Sequence, residues 1–314
     1  MDQPLISIIT PCFNRVTMVS DAVESVLAQD DPHVEHIVVD GVSTDGTLDV
    51  LKRYPYLKIL SEPDQGMYDA INKGINLARG DIIGFLNTDD LYSPGCFHAV
   101  RAVFSAYPEI AAVVGEARLF NLDDPSGHST LTYPAIGEDK FWYRLLKGAP
   151  IFNAWFFQRR ALEQIGSFDT SYRIAADREY LIRAGLCGIR PSPIHQPMVD
   201  YRQHQDSLTF STLDSRSSYG MMRIRNLLES IRVLESYHCH PLLTIAANRI
   251  LISAHSELSY QLFATSLYHH QWQQAVKSFF RGWRYSPLFL MALIRGASQR
   301  LYRELTTPKR EHGA

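Results

Sequence analysis

The chain has few cysteines, and none of them forms a recognisable metal-binding or disulfide pattern. Its four cysteines are far apart with no CxxC pair, which argues against a zinc ribbon or a disulfide framework and fits a reducing compartment. No apolar run reaches the length of a membrane span. Met1 is followed by Asp2 rather than by a basic and then apolar signal segment. We therefore expect a cytoplasmic protein.

A dinucleotide-binding fingerprint is also missing, because no GxGxxG sequence follows the first predicted strand. This absence weakens a dehydrogenase interpretation. The net charge is only −2, but residues 1–217 carry 28 acidic and 19 basic side chains, whereas residues 218–314 carry 5 and 12. The acidic part is a poor match for nucleic acid. The basic part predicts either peripheral contact with an anionic membrane or a packed helical appendage with a solvated basic face.

Short apolar segments alternate with helical periodicity over the first two thirds of the chain. We predict four buried strands near residues 5–9, 36–39, 57–60 and 82–86, with Pro11 ending the first, and a late strand over residues 198–204. Strands that alternate with helices predict an α/β fold with a mostly parallel sheet flanked by helices. From about residue 216 the pattern is helical. We therefore predict one domain over 1–215 and a helical C-terminal extension over 216–314.

Polar side chains follow the predicted strands at the points where the strands end. They are Asn14, Asp40, Asp64, Asp89 and Asp90. In open α/β sheets, ligands bind beyond the carboxyl ends of the strands. Two adjacent carboxylates there can hold Mg²⁺ or Mn²⁺ together with a substrate diphosphate. A solvated turn is the alternative for this acidic pair.

Several of these segments together carry a family resemblance. They are residues 7–14, 38–47, 62–74, 80–90, 166–169, 175–177 and 201–207. In their order and spacing the chain resembles the family 2 glycosyltransferases over roughly residues 5–210. The resemblance implies the Rossmann-like GT-A fold and an inverting transfer of a sugar from a nucleotide-diphosphate donor. The acceptor would be a hydroxyl of a saccharide or lipid-linked molecule, as in bacterial cell-surface polysaccharide or glycolipid biosynthesis.

The resemblance also implies the residues of the reaction centre. Asp177 matches the family's general base, although it could instead be a helix N-cap, and Glu179 is the second candidate. Asp89 and Asp90 match the metal motif, with Asn87 in place of its first acid. His204 matches a late histidine near the diphosphate and metal. The implied cofactor is a divalent cation, Mg²⁺ or Mn²⁺.

The resemblance also implies eight contacts of the nucleotide sugar, among which Asp40 would accept a hydrogen bond from the nucleobase. They are Pro11, Asn14, Asp40, Asp69, Lys73, Asn87, Asp89 and Arg202. Some have simpler alternatives, because Pro11 could merely end a strand, and Asp69 and Lys73 could form a surface ion pair. Arg202 could pair with Asp200 rather than with a phosphate.

Two other functions compete with sugar transfer. A non-catalytic sugar-nucleotide-binding protein could keep the same fold, but the presence of both Asp177 and the acidic pair argues against it. A nucleotidyltransferase would share a similar sheet and metal site. It would typically open with a Gly-rich, basic phosphate loop, and residues 10–14 are not such a loop.

Overall fold

A computed structural model of the chain describes residues 3–121, 131–136, 141–147, 151–203, 219–268 and 272–285. The chain divides into two compact units, Met1–Thr212 and Leu213–Ala314. The boundary predicted between residues 215 and 216 falls outside the described residues. The assignment of a catalytic domain to 1–215 and an extension to 216–314 therefore stays a prediction.

One sheet of nine strands organises the described part of the first unit. The strands are β1 Ile6–Cys12, β2 Val34–Asp40, β3 Lys58–Ser61, β4 Ile82–Phe85, β5 Leu91–Tyr92, β6 Ala112–Asn121, β7 Leu131–Tyr133, β8 Trp155–Gln158 and β9 Pro191–Gln203. Their order is β3-β2-β1-β4-β8-β6-β9-β5, with β7 beside β6. The first four strands are parallel, so their carboxyl ends lie at one edge.

Helices connect the strands of the first unit and make up the described part of the second. The first unit contains α1 Val19–Leu27, α2 Thr47–Leu51, α3 Met67–Leu77, α4 Cys96–Ala106, α5 Phe141–Lys147, a 3-10 turn Phe152–Ala154, α6 Arg159–Ile165 and α7 Ala176–Leu186. The second contains α8 Tyr219–Tyr237, α9 Thr244–Tyr268 and α10 Trp272–Tyr285. The predicted α/β class is confirmed. Strand β8 is antiparallel to β4 and β6, and the sheet continues with β9 parallel to β6.

Helix α3 lies unusually close to the centre of the sheet. Every residue of β1 is buried, and a Cβ atom added at Gly74 would lie only 2.4 Å from Cγ2 of Ile9. A larger residue at position 74 would therefore push α3 away from β1. This close contact sets where the N-terminal turn of α3 meets the carboxyl edge of the strands.

The prediction that Pro11 ends the first strand is wrong. Pro11 is buried inside β1 and lies opposite Val39 of β2. The pairing of β1 with β4 ends at Ile9 and Phe85, and Leu86 N donates to Ile9 O at 3.0 Å. Like the backbone groups of Ile9, the nitrogen of Pro11 faces the side of β1 where β4 lies. Because β4 has already ended at this level, the absence of an N–H at Pro11 removes no hydrogen bond between the two strands.

Candidate active site

Three loops at the carboxyl edge of the sheet are tied together, and we call them the rim. The Asn14 side-chain oxygen accepts a hydrogen bond from Thr44 N at 2.9 Å, and Ser43 Oγ accepts one from Asn14 N at 2.8 Å. These bonds join the loops after β1 and β2. A Cβ atom added at Gly41 would lie 2.5 Å from Asp64 Oδ2, so the loop after β3 touches the same place. Three strand ends therefore form one surface.

Asp40, the predicted partner of the nucleobase, is the last residue of β2 and is buried. Its carboxylate accepts hydrogen bonds from Ser43 N at 3.1 Å, from the Ser43 hydroxyl at 2.5 Å and from the Ser61 hydroxyl at 2.7 Å. These bonds hold the ends of β2 and β3 together. A base contact through Asp40 stays a prediction, and it would use acceptor positions that these three donors leave open.

Phe13 is an exposed aromatic residue of the rim that the sequence alone does not identify as a candidate contact. Phe13 is 56% exposed, and its Cδ2 atom would lie 3.4 Å from a Cβ atom at Gly41. Its neighbours in the rim have left-handed backbones, with φ of 51° at Asn14 and 64° at Val42. This conformation is costly for a β-branched residue and such strain clusters at functional sites. The signal in the sequence is an aromatic residue just past a strand end.

Asp69 and Lys73 lie in α3, but their ion pair is not the dominant contact of Lys73. Its Nζ atom is 2.8 Å from Glu62 Oε1 and donates to Pro63 O at 2.6 Å, whereas Asp69 Oδ2 is 3.7 Å away. The hydrogen bond to Glu62 raises the pKa of Lys73. Asp69 accepts a hydrogen bond from Gln65 N at 3.0 Å. The nucleotide contacts of both residues stay predictions.

The two adjacent carboxylates after β4 have different surroundings. Asp90 is 1% exposed and accepts hydrogen bonds from Arg202 N at 3.0 Å and from the Asn153 side-chain amide. Burial, and then the neighbouring Asp89, raise the pKa of Asp90 well above its ordinary value. Asp89 and Asn87 are only half-buried. Of the two carboxylates, Asp89 is therefore the one placed to reach a ligand.

The donor atoms after β4 fit a cation that is shared with a substrate rather than one held in a protein cage. Among the residues that the structure describes, no three His, Cys, Asp or Glu side chains are grouped to hold a metal ion. Asp89 and Asn87 offer hard oxygen atoms, which Mg²⁺ binds together with phosphate oxygens and water. The contacts of Asp90 speak against its predicted ligand role. The predicted ligand His204 lies outside the described residues.

Arg202 has a different partner from the one considered in the sequence. Its side chain is 3% exposed, and Nη2 lies 2.6 Å from Asp21 Oδ2 of α1. The proposed pairing with Asp200 is wrong, because Arg118 lies opposite Asp200 in the β6–β9 register and takes it at 2.6 Å. The buried guanidinium joins β9 to α1, and a nucleotide contact through Arg202 stays a prediction.

Asp177 lies in the first turn of α7, where a helix N-terminus favours negative charge. The N-cap residue is Ala175, so the alternative that Asp177 is only an N-cap is wrong. Asp177 Oδ1 accepts a hydrogen bond from Arg178 N at 2.7 Å. Burial raises the pKa of Asp177 to about 6, against the opposing effects of Arg178 and Tyr68. A carboxylate with this pKa is a stronger base than an ordinary aspartate.

Glu179, the second candidate for the base, is engaged elsewhere. It is buried, and its carboxylate accepts hydrogen bonds from Arg183 Nη2 at 2.8 Å and Nε at 3.0 Å. This two-bond ion pair holds Glu179 along its own helix. The geometry therefore favours Asp177 as the base.

Two residues of α3 that sequence reasoning misses hold the segment that leads to Asp177. The Tyr68 hydroxyl lies 2.9 Å from Ile174 O and within hydrogen-bonding reach of Asp177, so its one hydrogen can be donated to either acceptor. The Asn72 side chain forms two hydrogen bonds with the backbone of Phe168, at 3.0 and 2.9 Å. The Tyr68 ring stacks on Phe168 with 5.7 Å between ring centroids. The four-residue spacing of Tyr68 and Asn72 on one helix face is the signal that could have identified them.

The rim and Asp177 are therefore linked through one helix. Helix α3 starts directly after the loop that contains Asp64, and its first two turns carry Tyr68 and Asn72, which hold the segment before α7. A ligand in the rim would lie beside the N-terminal turn of α3. This arrangement can hold an anionic group near a half-buried carboxylate that accepts protons.

Comparison with known proteins gives a consistent result. The sequence profile described as glycosyl transferase family 2 matches residues 7–166. An uncharacterized glycosyltransferase of Mycobacterium tuberculosis is 34% identical over 192 residues, which is 58% of this chain and 70% of the relative. A PGL/p-HBAD biosynthesis glycosyltransferase of Mycobacterium bovis is 31% identical over 189 residues, with the same coverage of 58% and 70%.

A solved structure shares the fold. The mannosyltransferase PcManGT of Pyrobaculum calidifontis, in complex with GDP-Man and Mn²⁺, superposes with a TM-score of 0.60 at 19% identity. The match covers 96% of this chain and 82% of the other. The expected GT-A fold is thereby confirmed.

Proposed function

Because the chain belongs to glycosyl transferase family 2 and is a glycosyltransferase, we propose that it transfers a sugar with inversion from a nucleotide-diphosphate donor to a hydroxyl group. The observation that carries this proposal is the half-buried Asp177, which α3 links to a rim built from three strand ends. A base and a ligand-binding rim are the two parts that a single displacement needs.

In the proposed reaction, Asp177 accepts the proton of the acceptor hydroxyl. The hydroxyl oxygen forms a bond to the anomeric carbon as the bond from that carbon to the diphosphate oxygen breaks. The bonding electron pair leaves on the nucleoside diphosphate. Because attack and departure occur on opposite faces of the carbon, the anomeric configuration inverts.

The donor is proposed to lie along the rim. The exposed ring of Phe13 offers a flat apolar face beside the loop of Asp40, which suits a nucleobase. Asp89 and Asn87 would hold a divalent cation together with the diphosphate. Bound there, Mg²⁺ or Mn²⁺ would stabilise the negative charge that develops on the leaving group.

The acceptor is proposed from the relatives, whereas the location is proposed from the sequence. One relative is named for PGL/p-HBAD biosynthesis, so we propose a saccharide or lipid-linked acceptor in polysaccharide or glycolipid biosynthesis. No described helix is long and apolar enough to cross a membrane. We propose a cytoplasmic enzyme that contacts the inner face of the plasma membrane through its basic C-terminal region.

A panel of nucleotide sugars tests the proposal. The full chain is incubated with UDP-, GDP- and dTDP-sugars, with Mg²⁺, Mn²⁺ or a chelator, and with saccharide and lipid-linked acceptors. We expect metal-dependent release of nucleoside diphosphate and a product of inverted configuration by NMR. Tight donor binding without transfer to any acceptor would favour the non-catalytic binding function instead.

The pH dependence of transfer tests the state of Asp177. The base must be ionised, and burial raises its pKa to about 6. Transfer should therefore be nearly constant well above this pH and fall about tenfold for each unit below it. Donor binding measured over the same range should not follow this profile. A flat profile down to the ordinary pKa of an aspartate would contradict the assignment.

Replacement of Tyr68 with phenylalanine should shift this profile. The hydroxyl lowers the pKa of Asp177, so its removal should raise the midpoint and reduce transfer most at acidic pH. The change should lie in kcat rather than in the KM for the donor. Asn72→Ala is the matched control, because it also releases the segment before α7 but leaves the Tyr68 hydroxyl in place. Equal midpoints in the two variants would mean that Tyr68 is only structural.

A further inference from the structure

Helix α10 in the second unit has an apolar stripe that nothing described covers. Val276, Phe280 and Trp283 are 53%, 65% and 52% exposed. Their i, i+4, i+7 spacing places them on one face of the helix. Clustered exposed apolar side chains of this kind mark interaction surfaces rather than ordinary solvated positions.

A basic stripe runs beside the apolar one. Lys277, Arg281 and Arg284 are exposed, and each follows a member of the apolar stripe by one residue. One residue corresponds to about 100° around a helix, so the two stripes are neighbours. Helix α10 contains no Asp or Glu, and the whole unit Leu213–Ala314 carries 13 basic and 6 acidic side chains.

A third side of α10 is the one that packs on the unit. Ala275 and Ser278 are buried there, and α10 lies against α9. The ring of Phe279 contacts both exposed aromatic rings, with centroids 5.7 Å from Phe280 and 6.3 Å from Trp283. The apolar side chains of α10 therefore form a cluster of contacting rings. This cluster stays exposed because α10 packs on α9 through a different side.

We propose that α10 docks on the surface of an anionic bilayer. Phe280 and Trp283 enter the headgroup region, and the basic stripe binds the negative groups of the lipids. An aromatic face beside a cationic face without any acid is the combination that such a surface selects. At 14 residues the helix is about 21 Å long, so it lies on the membrane and does not cross it.

Docking builds on the proposed function, because it would bring the enzyme to a lipid-linked acceptor. Flotation with vesicles tests it. The full chain should bind vesicles that contain phosphatidylglycerol and bind neutral phosphatidylcholine vesicles much less. The triple variant K277Q/R281Q/R284Q should bind anionic vesicles about 100-fold less tightly, because each cation near such a surface contributes roughly fivefold. High salt should act in the same direction.

Matched variants separate docking from a general charge effect. K52Q/R53Q/R79Q removes three exposed basic residues from the first unit and should leave vesicle binding unchanged. F280S/W283S should weaken binding to both kinds of vesicle. Quenching of tryptophan fluorescence by brominated lipid is a measurement that needs only one conservative substitution. It should be strong in the natural chain and largely lost in Trp283→Phe.

Equal binding of the natural chain and the K277Q/R281Q/R284Q variant would overturn the proposal. So would a concentration-dependent dimer that F280S/W283S abolishes, because the surface would then serve a second copy. Transfer to a soluble acceptor without vesicles keeps the two proposals apart. Vesicle binding without transfer would refute the proposed sugar transfer alone, and transfer without vesicle binding would refute the proposed membrane contact alone.

Discussion

Replacement of Asp177 with asparagine is expected to reduce sugar transfer by about 10²- to 10⁴-fold, the range that a positioned general base contributes. The amide keeps the size of the side chain and can still accept the hydrogen bond from Arg178 N. It cannot accept the proton of the acceptor hydroxyl. Donor affinity and thermal stability should change little, so the loss should lie in kcat. Transfer kinetics and donor binding on the same preparation measure both quantities.

Glu179→Gln is the matched control for this variant. It neutralises a second carboxylate on the same helix, and that carboxylate is held by Arg183. We expect a lower Tm and nearly unchanged transfer. If Glu179→Gln lost transfer at an unchanged Tm while Asp177→Asn kept it, Glu179 would be the base and the proposed mechanism would be wrong.

The neighbouring acids Asp89 and Asp90 should respond differently to replacement with alanine. Asp89→Ala removes the half-buried carboxylate proposed to hold the cation. We expect a loss of at least about 100-fold in metal-dependent transfer, since charge stabilisation by a metal amounts to several kcal/mol. The Tm should stay nearly constant. Titration of Mn²⁺ in the presence of the donor, followed by transfer rate, measures the effect.

Asp90→Ala should act mainly on folding. It would leave Arg202 N and the Asn153 amide without their buried acceptor. Each unsatisfied donor should lower the free energy of unfolding by about 1–3 kcal/mol. We expect a lower Tm, with the Mn²⁺ concentration for half-maximal rate preserved in the folded fraction. If instead Asp90→Ala weakened the Mn²⁺ dependence and Asp89→Ala did not, the two roles would be exchanged.

Some parts of the fold could be predicted because they depend on neighbouring residues alone. Apolar runs with helical segments between them indicate parallel strands, and these lie close to their predicted positions. The late strand is longer than predicted, beginning at Pro191 rather than near Met198. Its prolines made that beginning look unlike a strand. They are tolerated because β5 pairs with β9 only at Val199 and Asp200, so no described strand lies beside the proline-containing end of β9 on that side.

Other features required contacts between distant parts of the chain. From the sequence alone, Asp89 and Asp90 look equivalent. The hydrogen-bond partners that distinguish Asp90 lie 63 and 112 positions away in the chain. Arg202 forms its ion pair with Asp21, which lies 181 positions away in the chain. No local pattern encodes such pairings, because they depend on which strand ends beside which helix.

By itself, the sequence determined the α/β class, the family and the set of acidic residues at the strand ends, since periodicity and motif spacing are properties of short segments. Only the tertiary structure decided how deeply each of those acids is buried and which donors surround it. Burial and hydrogen-bond donors set the state of each carboxylate, and both come from residues that are remote in the chain. The link from α3 to Asp177 through Tyr68 exists for the same reason.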